Sequence, residues 1–227
     1  MPTPASIIEL VELFERNRDQ YLSPQFSEAA VRRQFIDQLF EALGWDVANR
    51  QGFAEQYKEV VHEDKVRVGA ATKAPDYSFR LGRERKFFVE AKKPAVDITY
   101  GIEPAYQLRR YAWSAKLPLS ILTDFEEFPV YDCRTRPAAT DKAAVGRILL
   151  LTYRDYVARW DEIAGIFSKD AVWRGDARFS RAPYRSYAHA ASQGTEVPEV
   201  RFRQYFDDFE DDIEQSEGFV AGFGATS

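Results

Sequence analysis

Asp76 follows Pro75, and after thirteen intervening residues come Glu90, Ala91 and Lys92. Side chains alternate across a strand, so Glu90 and Lys92 leave one face together. Positions 82–85 (Gly-Arg-Glu-Arg) read as a turn that folds 76–81 back against 86–92. The expected pairing runs near 77 with 90 and 76 with 91, which sets Asp76 beside Glu90 at the open end of a hairpin. Two carboxylates and an ammonium then converge without help from distant parts of the chain. Carboxylates are hard oxygen ligands of the kind Mg²⁺ takes together with waters and phosphate oxygens, and Mn²⁺ is an expected substitute. The backbone carbonyl of Ala91 can add a third protein oxygen. Lys92 can orient or deprotonate an attacking water and meet the negative charge growing at phosphorus, and a nearby cation would depress its pKa. The set suits metal-assisted hydrolysis of a phosphodiester.

A Glu-x-Lys pair on a strand is commonly no more than a solvated face. Two features argue for more here. Phe87, Phe88 and Val89 make the strand apolar, so charges at its end need a reason to be there. The Pro-Asp pair also lies at hairpin distance.

Composition removes other chemistries. A single cysteine, Cys133, excludes an internal disulfide framework and points to a reducing, cytoplasmic setting. Two histidines, His62 and His189, are too few and too far apart for a zinc site or a histidine-based nuclease. There is no phosphate-cradling glycine loop and no dinucleotide fingerprint. No apolar run reaches the ~18 residues that would span a membrane, and Met1-Pro2-Thr3-Pro4 does not open a secretory signal. The net charge of -5 is concentrated: residues 195–227 hold nine acids and two bases. Taking these from 36 acidic and 31 basic residues leaves 27 and 29, a near-neutral body compatible with both metal-binding acids and phosphate-binding bases.

The elements that position the trio follow from periodicity. A helix is expected over 5–20 with Ile7, Ile8, Val11 and Phe14 facing inward, broken at Leu22-Ser23-Pro24. A second starts after Ser27, a good N-cap, carries Val31, Phe35, Ile36, Leu39, Phe40 and Leu43 inward, and closes at Gly44. Strands are expected from Trp45 to Val47, over 57–61, in the hairpin 76–92, and over 117–123 and 127–132. Residues 62–73 read as a loop or ragged hairpin. Helices are expected over 103–116, lying across the hairpin, and over 153–167. The class is mixed α/β, a central mixed sheet with helices on both sides. One domain over 1–185 and a poorly ordered linker and acidic tail over 186–227 complete the expectation. Trp45 and Trp113 are expected in the core.

The stretch Pro75-Asp76-Tyr77 … Phe88-Val89-Glu90-Ala91-Lys92-Lys93-Pro94 resembles the PD-(D/E)xK nuclease core. More closely, the chain resembles the N-terminal nuclease region of type IIG restriction-modification enzymes and the related start of type I restriction subunits. Ser27-Glu28 … Arg32 … Phe35-Ile36 … Leu43-Gly44-Trp45-Asp46-Val47, Glu103-Pro104-Ala105-Tyr106-Gln107-Leu108-Arg109-Arg110-Tyr111 and Leu122-Thr123-Asp124-Phe125-Glu126-Glu127-Phe128 … Tyr131-Asp132 carry that likeness. It covers about residues 5–180.

The resemblance implies a restriction-endonuclease-like core and a Mg²⁺-dependent endonuclease of a restriction system acting on double-stranded DNA. The core chemistry alone does not separate DNA from RNA. It further implies that Glu28 assists the metal or holds the site, although Glu28 equally suits the first turn of a helix. Gln107 and Tyr111, one helical turn apart, would lie beside the active centre and touch metal-bound water or the DNA backbone; otherwise Tyr111 is core and Gln107 surface. Arg109, Arg110, Lys93, Lys73 and Arg67 either meet phosphates or are solvated charges. Type IIG enzymes continue into a methyltransferase and a target-recognition part. Neither a glycine-rich cofactor loop nor an Asn/Asp-Pro-Pro-Tyr motif is present here. A methyltransferase or specificity module in cis or trans is therefore an expected partner, and cutting both strands implies a dimer on DNA. The competing expectation is a silent nuclease-fold module that binds DNA or such a partner.

Overall fold

A computed structural model of the chain describes residues 2–175. The expected linker and acidic tail over 186–227, and the end of the domain expected at 185, lie outside the described residues.

Helix α1 (Ala5–Arg16) buries Ile7, Leu10 and Phe14, an i, i+3, i+7 stripe, and leaves Ile8 exposed on the far side. After the short α2 (Arg18–Tyr21), α3 (Glu28–Val31) begins as expected, with Ser27 Oγ accepting the Ala30 N–H at 3.2 Å. It runs through a π-helical turn at Arg32–Ile36 into α4 (Asp37–Ala42). The whole apolar face named from the sequence is buried, from Val31 to Leu43. Gly44 ends the helix with φ +91°, a left-handed conformation that costs glycine little.

Among the described residues eight strands follow: β1 (Val60–His62), β2 (Val66–Val68), β3 (Ala71–Lys73), β4 (Tyr77–Leu81), β5 (Glu84–Ala91), β6 (Leu119–Thr123), β7 (Glu127–Asp132) and β8 (Arg147–Thr152). Six form one mixed sheet in the order β1-β4-β5-β6-β7-β8, and β2 and β3 form a separate antiparallel ribbon. Neighbours in the large sheet are antiparallel except β5 and β6, which are parallel and joined by α5 (Ile102–Ser114). A parallel pair needs such a crossover, and it brings α5 over the hairpin strands. The described residues close with α6 (Trp160–Phe167) and α7 (Lys169–Trp173). No helix of the described residues is long and apolar enough to cross a membrane.

The hairpin differs from the expected register by one residue. Tyr77 pairs with Val89, Ser78 with Phe88 and Phe79 with Phe87; after a bulge, Arg80 pairs with Arg85 and Leu81 with Glu84. The turn is therefore only Gly82-Arg83, with Gly82 at φ +61°, as a two-residue hairpin loop requires. Continued outward, that register sets Asp76 level with Glu90 rather than with Ala91.

Three further expectations change. Trp45 to Val47 is not a strand. The Trp45 indole N–H is buried against the Phe167 carbonyl (2.8 Å), and the Asp46 carboxylate caps the N–H groups of Arg50 (2.7 Å) and Gln51 (2.9 Å), which makes a turn. The helix expected over 153–167 starts only at Trp160, and the preceding apolar run is strand β8. Trp113 is 38% exposed, its ring 5.4 Å from the Arg136 guanidinium, rather than core.

The apolar core lies on both faces of the hairpin. On one, Phe79 and Phe87 stack with centroids 4.4 Å apart, and Phe40 of α4 and Trp45 close over them at 4.5 and 5.1 Å. On the other, Phe88 packs with Leu108 and Ala112 of α5 and with Leu122, Tyr131 and Cys133. Burying each such side chain contributes about 2–3 kcal/mol. The β5 strand is thus clamped between two helical layers, and its last residues are held where the acids sit.

Candidate active site

Strands β4 and β5, helix α5 and the helix that α3 begins meet where β5 ends. Asp76 enters β4, while Glu90 and Ala91 close β5. Lys92 continues the line, its N–H donating to the Thr123 carbonyl of β6 (2.9 Å). Helix α5 supplies Gln107 and Tyr111, and the α3 segment supplies Glu28 and Arg32.

The Ala91 N–H donates to Asp76 Oδ2 at 2.8 Å, which ties the acid to the end of the neighbouring strand. Arg32 Nη1 donates to Asp76 Oδ1 at 3.1 Å. On Glu90, a single oxygen takes both donors: Lys92 Nζ at 2.8 Å and Gln107 Nε2 at 2.5 Å both reach Oε1. The other oxygen, Oε2, is buried with no hydrogen-bond partner, and the whole residue is only 4% exposed. A buried carboxylate oxygen without a donor is costly to the fold.

Electrostatics agree with that crowding. Burial first, and then the Asp76 charge, push the Glu90 carboxyl up to about 7 against the pull of Lys92. Glu28 is raised by burial and by Asp76, which places it within electrostatic range of the pair. Among the described residues no three acidic, histidine or cysteine side chains converge around a point able to hold a metal ion. Glu28 is thus a neighbour of the Asp76–Glu90 pair. Burial lowers the Lys92 pKa, but Glu90 outweighs it, helped by Glu28 and Asp76, so the ammonium is held above the ordinary lysine range. Lys92 therefore stands as a cation and donor, suited to orienting a water or meeting phosphate charge; deprotonating a water needs the opposite shift. Tyr111 is 7% exposed, and burial and then the Glu90 charge raise its hydroxyl pKa. It is both a core residue and a lining of the site.

Asp76, Glu90, Ala91, Lys92, Gln107 and Tyr111 are thus brought together, with Glu28 at the margin. Other candidates go elsewhere. Arg109 is 2% exposed and pairs with Asp141 at 2.9 Å, so its role is to hold the loop after β7. Arg67 and Lys73 sit exposed on the β2–β3 ribbon and Arg110 is exposed on α5, while Lys93, whose Nζ donates to the Pro24 carbonyl at 3.4 Å, stays within electrostatic range of Glu28. Arg32 was not singled out as a site residue from the sequence. The available signal was its position four residues after Glu28 on one helical face.

No family model matches the chain. A search of curated proteins finds the Escherichia coli type II restriction enzyme and methyltransferase RM.Eco57I, 44% identical over 168 residues. That stretch is 73% of this chain and 17% of the relative, so the chain spans about a sixth of the length of the protein it matches. Among solved structures, the type IIG restriction endonuclease BpuSI aligns over 62% of this chain and 17% of its own, with a TM-score of 0.39 and 18% identity.

Proposed function

We propose that this chain carries the DNA-cleaving centre of a restriction-modification enzyme, a PD-(D/E)xK endonuclease domain that hydrolyses phosphodiester bonds of double-stranded DNA with Mg²⁺, or Mn²⁺ in its place. The carrying observation is the Glu90 carboxylate, buried at a strand end with one oxygen held by Lys92 and Gln107 and the other without a partner. Its likeness over most of the chain to a restriction enzyme and methyltransferase supports the same reading.

The residues present fit a divalent cation. Glu90 Oε2, an oxygen of Asp76 and the Ala91 carbonyl would hold it, with Glu28 near enough to add negative charge. A cation there would supply Lewis-acid stabilisation of the phosphate and lower the pKa of bound water. The chain's own groups do the rest. Gln107 and Lys92 fix the Glu90 carboxylate through Oε1. Lys92 holds its proton and offers a donor to the attacked phosphate or the incoming water. Tyr111, on the turn of α5 after Gln107, closes the site from the core side.

The test is nicking of supercoiled plasmid with Mg²⁺ or Mn²⁺ by the wild type, Asp76→Ala and Lys92→Ala. Loss in both variants is expected. Equal nicking by all three would end the site assignment.

A second reading has its own observation: both oxygens of Asp76 already have donors, Arg32 and the Ala91 N–H. A silent module that holds DNA, or a methyltransferase or specificity partner, would keep Asp76 in that way permanently. It predicts retention of DNA or partner with no cleavage at any concentration of either cation. As a nuclease, the chain would work beside a methyltransferase or specificity module in cis or in trans, as a dimer when both strands are cut.

A further inference from the structure

The π-helical turn at Arg32–Ile36 interrupts an otherwise regular helix directly over the active centre. Such turns re-aim side chains and recur at functional sites. Arg32 and Asp37 bracket this one, and both reach down to the start of β4. The Tyr77 hydroxyl donates to Asp37 Oδ1 at 2.7 Å, and the Arg32 guanidinium lies over the Tyr77 ring, 4.8 Å from its centroid. Arg32 Nη1 donates to Asp76 Oδ1 at 3.1 Å, while Nη2 makes a longer contact of 3.4 Å to the Asp76 carbonyl and lies 3.2 Å from His62 Nδ1. The Arg32 side chain keeps 19% of its surface exposed, so it has a path to solvent. With the Ala91 N–H on Oδ2, a cation taken by Oδ1 would share that oxygen with the guanidinium and lie close to its positive charge.

We propose that Arg32 is a positioning residue that competes with the divalent cation for Asp76 Oδ1 and releases it to a DNA phosphate, so that cation and DNA bind cooperatively. The proposal rests on the functional reading above. Two positive charges cannot share one carboxylate oxygen within a few ångströms without strong repulsion. A guanidinium has a planar fork of donors that suits a phosphate as well as a carboxylate. The face of Tyr77 gives it a favourable seat during the exchange. Linkage then requires that whatever draws Arg32 from Asp76 tightens cation binding, and that the cation tightens DNA binding by the same factor.

The experiment is calorimetric titration of Mn²⁺ into the full chain as wild type, Arg32→Gln and Asp76→Ala. It is repeated with a saturating short DNA duplex in a Lys92→Met background to keep the duplex intact. Arg32→Gln should tighten Mn²⁺ binding about tenfold without DNA, equivalent to ~1.4 kcal/mol. DNA should tighten Mn²⁺ binding when Arg32 is present and leave the affinity of Arg32→Gln unchanged. A merely structural role for Arg32 predicts the opposite sign, because a disordered Asp76 binds the cation more weakly. Unchanged or weaker Mn²⁺ binding by a folded Arg32→Gln therefore overturns the proposal while leaving the active-centre reading intact. Should Arg32→Gln not fold, Arg32→Lys keeps the charge and loses the fork; a two- to threefold tightening is expected, and none overturns the idea. A wild type that binds no Mn²⁺, or Asp76→Ala that binds as tightly as wild type, overturns both readings.

Discussion

Replacing Glu90 by glutamine should stabilise the fold at neutral and higher pH while removing cleavage. In the folded chain the Glu90 carboxyl is pushed from an ordinary 4.5 up to about 7, by burial and then by the Asp76 charge. The sign follows from linkage: a carboxyl whose folded pKa lies above its unfolded one contributes fully below about pH 4.5, and the contribution is lost as pH rises through 7. That interval corresponds to about 3 kcal/mol. Glutamine keeps the shape and accepts from Lys92 and Gln107 through its carbonyl, but it does not titrate. Urea unfolding in EDTA at steps from pH 5 to pH 8 should therefore show the variant gaining on wild type by about 3 kcal/mol as pH rises. The loss of the Glu90–Lys92 pair works against this gain, and the raised Glu90 pKa already includes its effect. A stability difference that stays flat with pH, or that moves toward wild type, would refute the claim that the site holds a destabilised carboxylate.

Lys92→Met should lower cleavage by about 10²–10⁴-fold, the range for a positioned proton-transfer or donor group, while Mn²⁺ affinity by calorimetry stays equal or tightens because a repelling charge is gone. Asp64→Asn should destabilise the fold near neutral pH: burial raises the Asp64 pKa, but hydrogen bonds from Arg85 and Arg80 outweigh it and hold the group below its usual 3.8. Because that folded pKa is depressed, the stability difference should be present above pH 3.8 and fade as pH falls through the lower folded value, readable by unfolding at pH 3 to 7. Phe88→Ala, fully buried under α5, should cost about 3–5 kcal/mol in urea unfolding, with nicking per folded molecule nearly unchanged.

The catalytic hairpin was legible because its signals are local. Phe87, Phe88 and Val89 have high strand preference, and Gly82 marks the turn. The register was off by one because the sequence does not show that Gly82-Arg83 alone makes the turn or that a bulge follows Phe79. Helix α5 was legible from its apolar stripe, and the spacing put Gln107 and Tyr111 on one helical face; their place beside Glu90 was implied by the resemblance alone. Strand β8 was not, because Ile148-Leu149-Leu150-Leu151 is a continuous apolar run with no period to separate strand from helix. Trp45 to Val47 failed for a different reason. A tryptophan has strand preference, but its indole was claimed by the Phe167 carbonyl 122 residues away, a tertiary contact that local reading cannot see. Arg32 was missed for the same reason, since its partner Asp76 is 44 residues distant.

The two acids of the centre are held by opposite logic, and that difference bears on how the site works. Asp76 is satisfied: one oxygen is fixed by the backbone of the neighbouring strand and the other by Arg32, so its geometry is set before any ligand arrives. Glu90 is half satisfied: two donors crowd one oxygen and leave the other bare in a buried place. A site optimised for stability would spread Lys92 and Gln107 over both oxygens, since each added charge-assisted bond contributes about 1.5–3 kcal/mol. Concentrating them on Oε1 gives up part of that gain and leaves Oε2 without a donor, within electrostatic range of Asp76. The same arrangement holds Lys92 protonated against its own burial, so the donor is kept charged by the acid it orients. Losing the Glu90–Lys92 contact should therefore alter two functions at once, the aim of the acid and the charge of the lysine. Gln107→Leu separates them: it removes one donor from Oε1 without touching a charge. Cleavage should fall about tenfold, the loss expected from about 1.4 kcal/mol, with the pH dependence of the rate unchanged. A Gln107→Leu profile that shifts with pH would show that the amide tunes the titration of Glu90 and does not merely aim it.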